Sequence, residues 1–233
     1  MPITELLEEN ARKYGNDVAL VEVNPQVQET RRVLWKDYDL IQPTSSFWYR
    51  REITWHVFDE KANRFAQLLM SRGVKKGDKV AILLMNCLEW LPIYFGTLKT
   101  GALAVPMNFR YSAEEIEYCL DLAEADVLVF GPEFIGRIET IAESISKKRI
   151  LFYVGGDCPS FAEDYDKLTS NCASISPGVP LTDEDDAAIY FSSGTTGFPK
   201  AILHSHESLM HACKVEQNHH HQTKDDVFLC IPP

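Results

Sequence analysis

The chain has 233 residues, 45% of them hydrophobic and 24% charged, which is ordinary for a soluble globular protein of one or two domains. Its formal net charge of −11 argues against nucleic acid or an anionic membrane as the main partner. The acidic N-terminus has no signal-peptide apolar core, and no run approaches the ~18 apolar residues of a membrane span. An anionic ligand would therefore have to be held by local donors.

The first 51 residues contain one clear helix and one clear strand. Leu7, Ala11 and Tyr14 share a helical face, and this helix is predicted to end at Gly15. The side-chain pattern of residues 18–23 alternates as in a β-strand. Residues 24–51 are rich in aromatic side chains and are predicted to form a hairpin with a long loop. The alternative for this segment is an aromatic contact with a partner.

Helices and strands alternate between residues 54 and 154. Thr54 is predicted to cap a long helix that Gly73 closes. Asn86 with Glu89, and Ser112 in the next helix, are predicted to form capping boxes. Four apolar runs are predicted as strands: 80–85, 101–106, 127–130 and 150–154.

This alternation predicts βαβ units and therefore an α/β fold, with parallel-rich sheets flanked by helices. Between residues 157 and 186 the pattern weakens. Residues 174–186 contain serine, proline and glycine followed by four acidic residues, and they predict a break between two subdomains. Residues 1–233 are otherwise predicted to form one domain.

The stretch after residue 189 has the composition of a ligand loop. Apolar runs at 187–191 and 201–203 are predicted as packed segments, and they enclose small and hydroxylated residues: Ser192, Ser193, Gly194, Thr195, Thr196 and Gly197. Glycines let backbone N–H groups approach a ligand, and hydroxyls add donors. Lys200 follows Pro199, and its ammonium gains roughly 4 kcal/mol when it lies ~4 Å from a phosphate charge at an effective dielectric of ~20. This combination suits a polyphosphate.

Other functions for the loop fit less well. Two residues separate Gly197 from Lys200, and Ala201 follows the lysine, so the spacing of an ordinary P-loop NTPase is not met. The Gly-x-Ser-x-Gly elbow of a serine hydrolase is absent. A surface turn with a chance lysine and a non-catalytic nucleotide-binding module stay open as alternatives.

Residues 190–200, Tyr-Phe-Ser-Ser-Gly-Thr-Thr-Gly-Phe-Pro-Lys, closely resemble the phosphate-binding signature of the AMP-forming acyl-CoA synthetases, which are adenylate-forming enzymes. Two further stretches resemble parts of the same family: Leu-Lys-Thr-Gly-Ala-Leu-Ala-Val-Pro-Met-Asn at 98–108 and Gly-Val-Lys-Lys-Gly-Asp-Lys-Val-Ala at 73–81. Together these motifs span most of the chain.

The resemblance implies an acid–thiol ligase that uses ATP, Mg²⁺ and coenzyme A. A small carboxylic acid would attack the α-phosphate of ATP, giving an acyl-adenylate and pyrophosphate, and coenzyme A would then displace AMP. Residues 192–197 would bind the β- and γ-phosphates, with Thr195 or Thr196 near the Mg²⁺, and Lys200 would act as the catalytic residue. Another adenylating ligase, for an aryl or an amino acid, is the alternative within the family.

The family's nucleotide-binding and catalytic-lysine segments would lie beyond residue 233, so the resemblance implies the N-terminal part of a longer enzyme that is inactive alone. An apolar strand is predicted at 227–231, and its uncovered edge predicts self-association of the isolated chain.

Histidine and cysteine patterns predict no metal site. His204, His206 and His211 lie close together, but neither a cysteine nor another histidine completes a zinc-like spacing. The histidines at 219–221 are predicted to be a solvated helix end. The six cysteines include no Cys-x-x-Cys pair, and Cys87, Cys119 and Cys230 stand in apolar patterns. We therefore expect reduced thiols in a cytoplasmic protein.

Overall fold

The computed structural model describes residues 1–25, 48–192 and 199–230. Seven α-helices lie in this part of the chain: α1 (Ile3–Tyr14), α2 (Trp55–Ser71), α3 (Trp90–Lys99), α4 (Ala113–Leu122), α5 (Ile135–Ile145), α6 (Tyr165–Ser170) and α7 (His206–His220). Nine strands accompany them: β1 (Val18–Pro25), β2 (Trp48–Thr54), β3 (Lys79–Leu83), β4 (Leu103–Pro106), β5 (Val127–Phe130), β6 (Ile150–Tyr153), β7 (Glu163–Asp164), β8 (Asp186–Ser192) and β9 (Lys200–Ser205).

Seven of the strands form one sheet in the order β7-β6-β5-β3-β4-β8-β9. Neighbouring strands from β7 to β8 are parallel, and β9 at the edge runs antiparallel to β8. Parallel neighbours need long crossover connections, and here helices supply most of them. The predicted α/β fold with a parallel-rich sheet flanked by helices is confirmed.

Strands β1 and β2 form a separate antiparallel pair. This pair forms a hairpin, but its strands extend beyond the segment 24–51 for which a hairpin was predicted, because residues 18–23 supply most of the first strand. The connection between the two strands, and with it the alternative of an aromatic contact with a partner, lies outside the described residues.

Helices cover both faces of the large sheet. On one face α2 and α3 supply fully buried side chains such as Phe65, Leu69 and Ile93. On the other face α4 and α5 supply Ile116 and Ile138. A strand covered on both faces is apolar at successive positions, which explains the continuous apolar run of β3.

Two of the predicted helix starts are confirmed by their capping hydrogen bonds. The Thr54 hydroxyl accepts from the backbone N–H of Val57 at 3.3 Å. Ser112 forms a reciprocal capping box, since its hydroxyl accepts from the Glu115 N–H at 3.2 Å and its own N–H donates to the Glu115 carboxylate at 2.8 Å. Each pair satisfies backbone donors that a helix end leaves open.

The capping box predicted from Asn86 and Glu89 is wrong. Helix α3 begins at Trp90, with Glu89 itself at the N-cap and no side-chain capping bond. The Glu89 carboxylate instead faces Arg51 at 3.6 Å and Lys61 at 3.9 Å. These tertiary ion pairs direct the carboxylate away from the helix end.

The weakly patterned region between 157 and 186 contains two short elements, β7 and α6, which are too short for a periodic signal. Beyond them the chain lies along α2, where Asn63 donates to the Ser174 carbonyl and Gln67 to the Ile175 carbonyl, both at 3.0 Å. The subdomain break predicted at 174–186 stays a prediction.

The strand predicted at 227–231 is wrong for its described part, residues 227–230, which form no strand. Val227 is 95% exposed and Phe228 75% exposed. A strand requires a neighbour to pair with its backbone groups, and the described residues provide none here. Cys230 is also exposed, against expectation, whereas Cys119 is buried as predicted.

Candidate functional site

The predicted ligand loop connects the two strands of a hairpin. Strand β8 pairs with β9 in a register that places Ser192 directly opposite Lys200. The loop is therefore anchored at both ends by the same pair of residues. The residues between the strands that were predicted to bind phosphate lie outside the described part of the chain, and their roles stay predictions: Ser193, Gly194, Thr195, Thr196 and Gly197.

Lys200 is placed where it can meet a ligand. Its side chain is exposed, while Pro199 before it is buried and fixes the point at which the chain re-enters the sheet. Lys200 forms no ion pair with the residues that the structure describes. Its ammonium is therefore not neutralised by a described carboxylate.

The hairpin opens at the carboxyl edge of the parallel strands. Helix α3, which follows β3, packs on one face of the sheet, whereas α4, which follows β4, packs on the opposite face. β3 is followed in the chain by β4 on one side of it, and β5 is followed by β6 on the other, so the strand order reverses between β3 and β5, and β8 lies two strands from β3. In open α/β sheets ligands bind outside the carboxyl ends of the strands, and the hairpin opens at this edge.

The expectation of two packed segments around the loop is wrong for the second one. Residues 187–189 of β8 are buried, but Ile202 and Leu203 of β9 are 45% and 54% exposed. Strand β9 lies at the edge of the sheet, where the described residues offer no neighbour on its outer side.

An aromatic cluster that sequence reasoning missed joins β8 and β9 to α3. The hydroxyl of Tyr190 in β8 lies 3.0 Å from the hydroxyl of Tyr94 in α3. Burial is the main cause that raises the pKa of both tyrosines, so both hydroxyls stay protonated. The His204 ring meets Tyr190 edge-on at 5.3 Å, and Trp90 stacks on Tyr94 at 5.4 Å. No local pattern reveals the tyrosine pair, because 96 residues separate its members.

The clustered histidines take different positions. His204 belongs to β9, whereas His206 begins α7 after the Ser205 cap, and His206 is 1% exposed. Burial lowers the pKa of His206, and its Nδ1 atom has no hydrogen-bond partner. Among the described residues no group of three or more metal-binding side chains comes together. The histidines at 219–221 form an exposed helix end, as predicted.

Comparison with known proteins gives the family. The family model described as AMP-binding enzyme matches residues 7–233. The chain belongs to this family. The resemblance drawn from residues 190–200 is thereby confirmed.

Several curated relatives of this chain are CoA ligases. The long-chain-fatty-acid–CoA ligase FadD13 of Mycobacterium tuberculosis is 35% identical over 158 residues, which cover 67% of this chain and 30% of that protein. The crotonobetaine/carnitine–CoA ligase of Citrobacter koseri is 32% identical over 189 residues, covering 78% of this chain and 36% of that protein. A 3-hydroxybenzoate/4-hydroxybenzoate–CoA ligase of Thauera aromatica is 30% identical and covers 76% and 34%. The chain thus spans about a third of the length of these relatives.

Solved structures share the fold. The anthranilate CoA ligase AuaEII, in complex with anthranoyl-AMP, matches with a TM-score of 0.73 and 26% identity, covering 89% of this chain and 35% of that one. The N-terminal domain of FACL13 from Mycobacterium tuberculosis matches with a TM-score of 0.74, covering all of this chain and 51% of that domain. At 24% identity the second match bears on the fold alone. Within the described residues, no helix has both the length and the apolar character that crossing a membrane would require.

Proposed function

We propose that this chain is the N-terminal, phosphate-binding part of an AMP-forming acid–thiol ligase. In the first step a carboxylate oxygen attacks the α-phosphorus of ATP, and the bond to the bridging oxygen breaks as pyrophosphate leaves. In the second step the thiol of coenzyme A attacks the acyl carbonyl, loses its proton and displaces AMP. The observation that supports this most directly is the pairing of Ser192 with Lys200 at the carboxyl edge of the sheet.

The proposed roles follow from where charge develops. Pyrophosphate gains negative charge as it leaves, so donors fixed around it stabilise the transition state more than the ground state. We assign the β- and γ-phosphates to Ser192 and to the loop residues Ser193, Gly194, Thr195, Thr196 and Gly197. Lys200 is assigned to offset the phosphate charge. The hydroxyl of Thr195 or Thr196 offers the oxygen ligand that Mg²⁺ prefers.

The identity of the acid is left open by the relatives, whose names include fatty-acid, hydroxybenzoate and carnitine ligases. The hydroxybenzoate relative supports an aryl-acid ligase as the second candidate. Cys87, Cys119, Cys158, Cys172 and Cys213 have free thiols, which supports a reducing compartment such as the cytoplasm.

The decisive experiment measures pyrophosphate release from the full-length protein with ATP, Mg²⁺ and a panel of acids that includes a long-chain fatty acid, 4-hydroxybenzoate and carnitine. We expect release that depends on one class of acid. Lys200→Ala should lower it by about 10²–10³-fold, as for loss of one transition-state donor. The matched control is Lys214→Ala, which removes an exposed lysine of α7.

Two results would contradict the proposal. ATP binding without acid-dependent pyrophosphate release would favour a non-catalytic nucleotide-binding module. Equal activity of Lys200→Ala and Lys214→Ala would remove Lys200 from the site.

We also propose that the isolated 233-residue chain is inactive and self-associates. Leu203, Val227 and Phe228 expose apolar side chains, and β9 has an open edge within the described residues. Light scattering should show a mass above 26.5 kDa that falls on dilution. A stable monomer at high concentration would contradict this proposal.

A further inference from the structure

Strand β8 leaves the parallel ladder before it reaches the candidate site. The register between β4 and β8 consists of Ala104 with Ala188, whereas the pairing of β8 with β9 continues as far as Ser192. Residues 189–192 therefore share main-chain pairing with β9, which itself lies at the sheet edge. Contacts of side chains must fix this end of the hairpin relative to the rest of the domain.

Tyr190 makes such a contact two residues before Ser192. Successive strand residues point to opposite faces, so Tyr190 and Ser192 share a face, and so do their cross-strand partners Ile202 and Lys200. The Tyr190 hydroxyl lies 3.0 Å from that of Tyr94, which is 5% exposed. A hydrogen bond constrains direction as well as distance, and therefore it fixes this face of the hairpin against α3.

The surroundings make this link rigid at both ends. On the helix side, Trp90 stacks on Tyr94 with an interplanar angle of 14°. On the hairpin side, the His204 ring of β9 meets Tyr190 at 82°, so the contact reaches both strands of the hairpin. On the opposite face Phe191 meets Tyr111 edge-on at 6.4 Å, a ring contact that sets distance without a directed bond.

We propose that Tyr94 and Tyr190 are positioning residues that hold the paired Ser192 and Lys200 in place, relative to α3, for the phosphates of ATP. This inference rests on the proposed function, since it concerns how the same loop binds its ligand. Neither tyrosine needs to touch the nucleotide. Misplacement of a site by about 1 Å weakens binding and reaction strongly, so a remote hydrogen bond of this kind can control affinity.

The test is Tyr94→Phe in the full-length protein, which keeps the ring and leaves the half-buried Tyr190 hydroxyl without its partner. A half-buried hydroxyl that loses its partner can regain a hydrogen bond by moving towards water, so Tyr190 should shift and displace Ser192 with it. We expect KM for MgATP to rise about tenfold while KM for the acid is unchanged. Tyr190→Phe removes the same bond from its other end and should reproduce this split.

Tyr165→Phe is the matched control, because Tyr165 is a buried tyrosine of α6 that packs on Phe65, away from β8. An equal rise in KM for MgATP in this control would show general softening of the core and overturn the positioning role. An unchanged KM for MgATP in both Tyr94→Phe and Tyr190→Phe would also overturn it. If neither variant folds, the bond serves the fold itself, and the inference fails as well.

Failure of the proposed function can be told apart from failure of the positioning role. It would appear as a wild-type protein without acid-dependent pyrophosphate release, whatever the tyrosine variants do. In that case calorimetric titration with MgATP still compares wild type with Tyr94→Phe, and an equal Kd contradicts the positioning role. A wild-type protein that does not bind MgATP at all contradicts both proposals.

Discussion

Lys99 and Asp59 form an ion pair with 2.7 Å between Nζ and Oδ1, although the Lys99 side chain is 2% exposed. The same ammonium donates to the Glu8 carboxylate at 2.9 Å and to the Asn63 side-chain oxygen at 2.7 Å. All three donors of the buried cation are thereby satisfied. Helices α1, α2 and α3 are joined through this one side chain.

Lys99→Met should lower the free energy of unfolding by about 3 kcal/mol, because breaking a buried ion pair leaves charges uncompensated. Asp59 and Glu8 keep some contact with water, which places the expected cost at the lower end of the usual range. Urea unfolding followed by circular dichroism measures this change. Lys147→Met, which removes an exposed lysine paired with Glu143, should have little effect. Similar losses in the two variants would show that the buried network does not stabilise the fold.

The sequence predicts the elements of this fold better than it predicts their contacts. Residues 127–130 and Ser112 were identified correctly because apolar runs and capping boxes are local signals. Lys99 and Glu8 lie 91 residues apart, and no local pattern links them. For the candidate site, the glycine- and hydroxyl-rich composition predicts a loop after a strand, and the structure adds the pairing of Ser192 with Lys200.

Where sequence-based prediction failed, tertiary contacts or missing neighbours are responsible. Glu89 has the spacing of a capping box, but ion pairs with Arg51 and Lys61 compete for its carboxylate. Leu203 and Val227 are apolar, and composition alone predicts that they pack. Whether an apolar side chain is buried depends on what lies opposite it, which the residue's own neighbours in sequence do not specify.

His206 should make the stability depend on pH. Its ordinary pKa is 6.5, and burial lowers the pKa in the folded state, where the Asp185 charge opposes the shift and Lys76 and the N-terminal amine reinforce it. Below pH 6.5 the unfolded chain therefore binds the proton more readily than the folded one. The stability contributed by neutral His206 is present above pH 6.5 and is lost as pH falls towards the folded-state pKa.

The check is urea unfolding between about pH 7.5 and 5.5, a range centred on the ordinary histidine pKa. His206→Gln should flatten the decline in stability over this range, since glutamine does not titrate. His211→Gln, which changes an exposed histidine of α7, should keep the slope of the wild type. A slope in His206→Gln as steep as in the wild type would assign the pH dependence to other groups.

Ser112→Ala should destabilise the chain by about 1 kcal/mol, the usual cost of losing an N-cap hydroxyl. The variant loses the bond from the Glu115 N–H and leaves one donor at the start of α4 open. Ser146→Ala, at the C-cap of α5, is the control and should stay within about 0.5 kcal/mol of the wild type. Thermal unfolding of the three proteins measures the difference, and a neutral Ser112→Ala would mean that water replaces the capping bond.

Two glycine-to-alanine changes should shift the stability in opposite directions. Gly101 has φ +76°, and a Cβ there would lie 2.8 Å from Lys76 Cγ and 3.3 Å from Leu181 Cδ2. Gly101→Ala combines this crowding with a strained left-handed backbone, so we expect a loss of about 1–3 kcal/mol. Gly136 lies in the first turn of α5 with nothing within 4 Å of the added methyl group. Gly136→Ala should therefore stabilise by about 0.5–1 kcal/mol, because alanine loses less backbone entropy in a helix. Urea midpoints that move in the same direction for both variants would contradict this account of the turn that leads into β4.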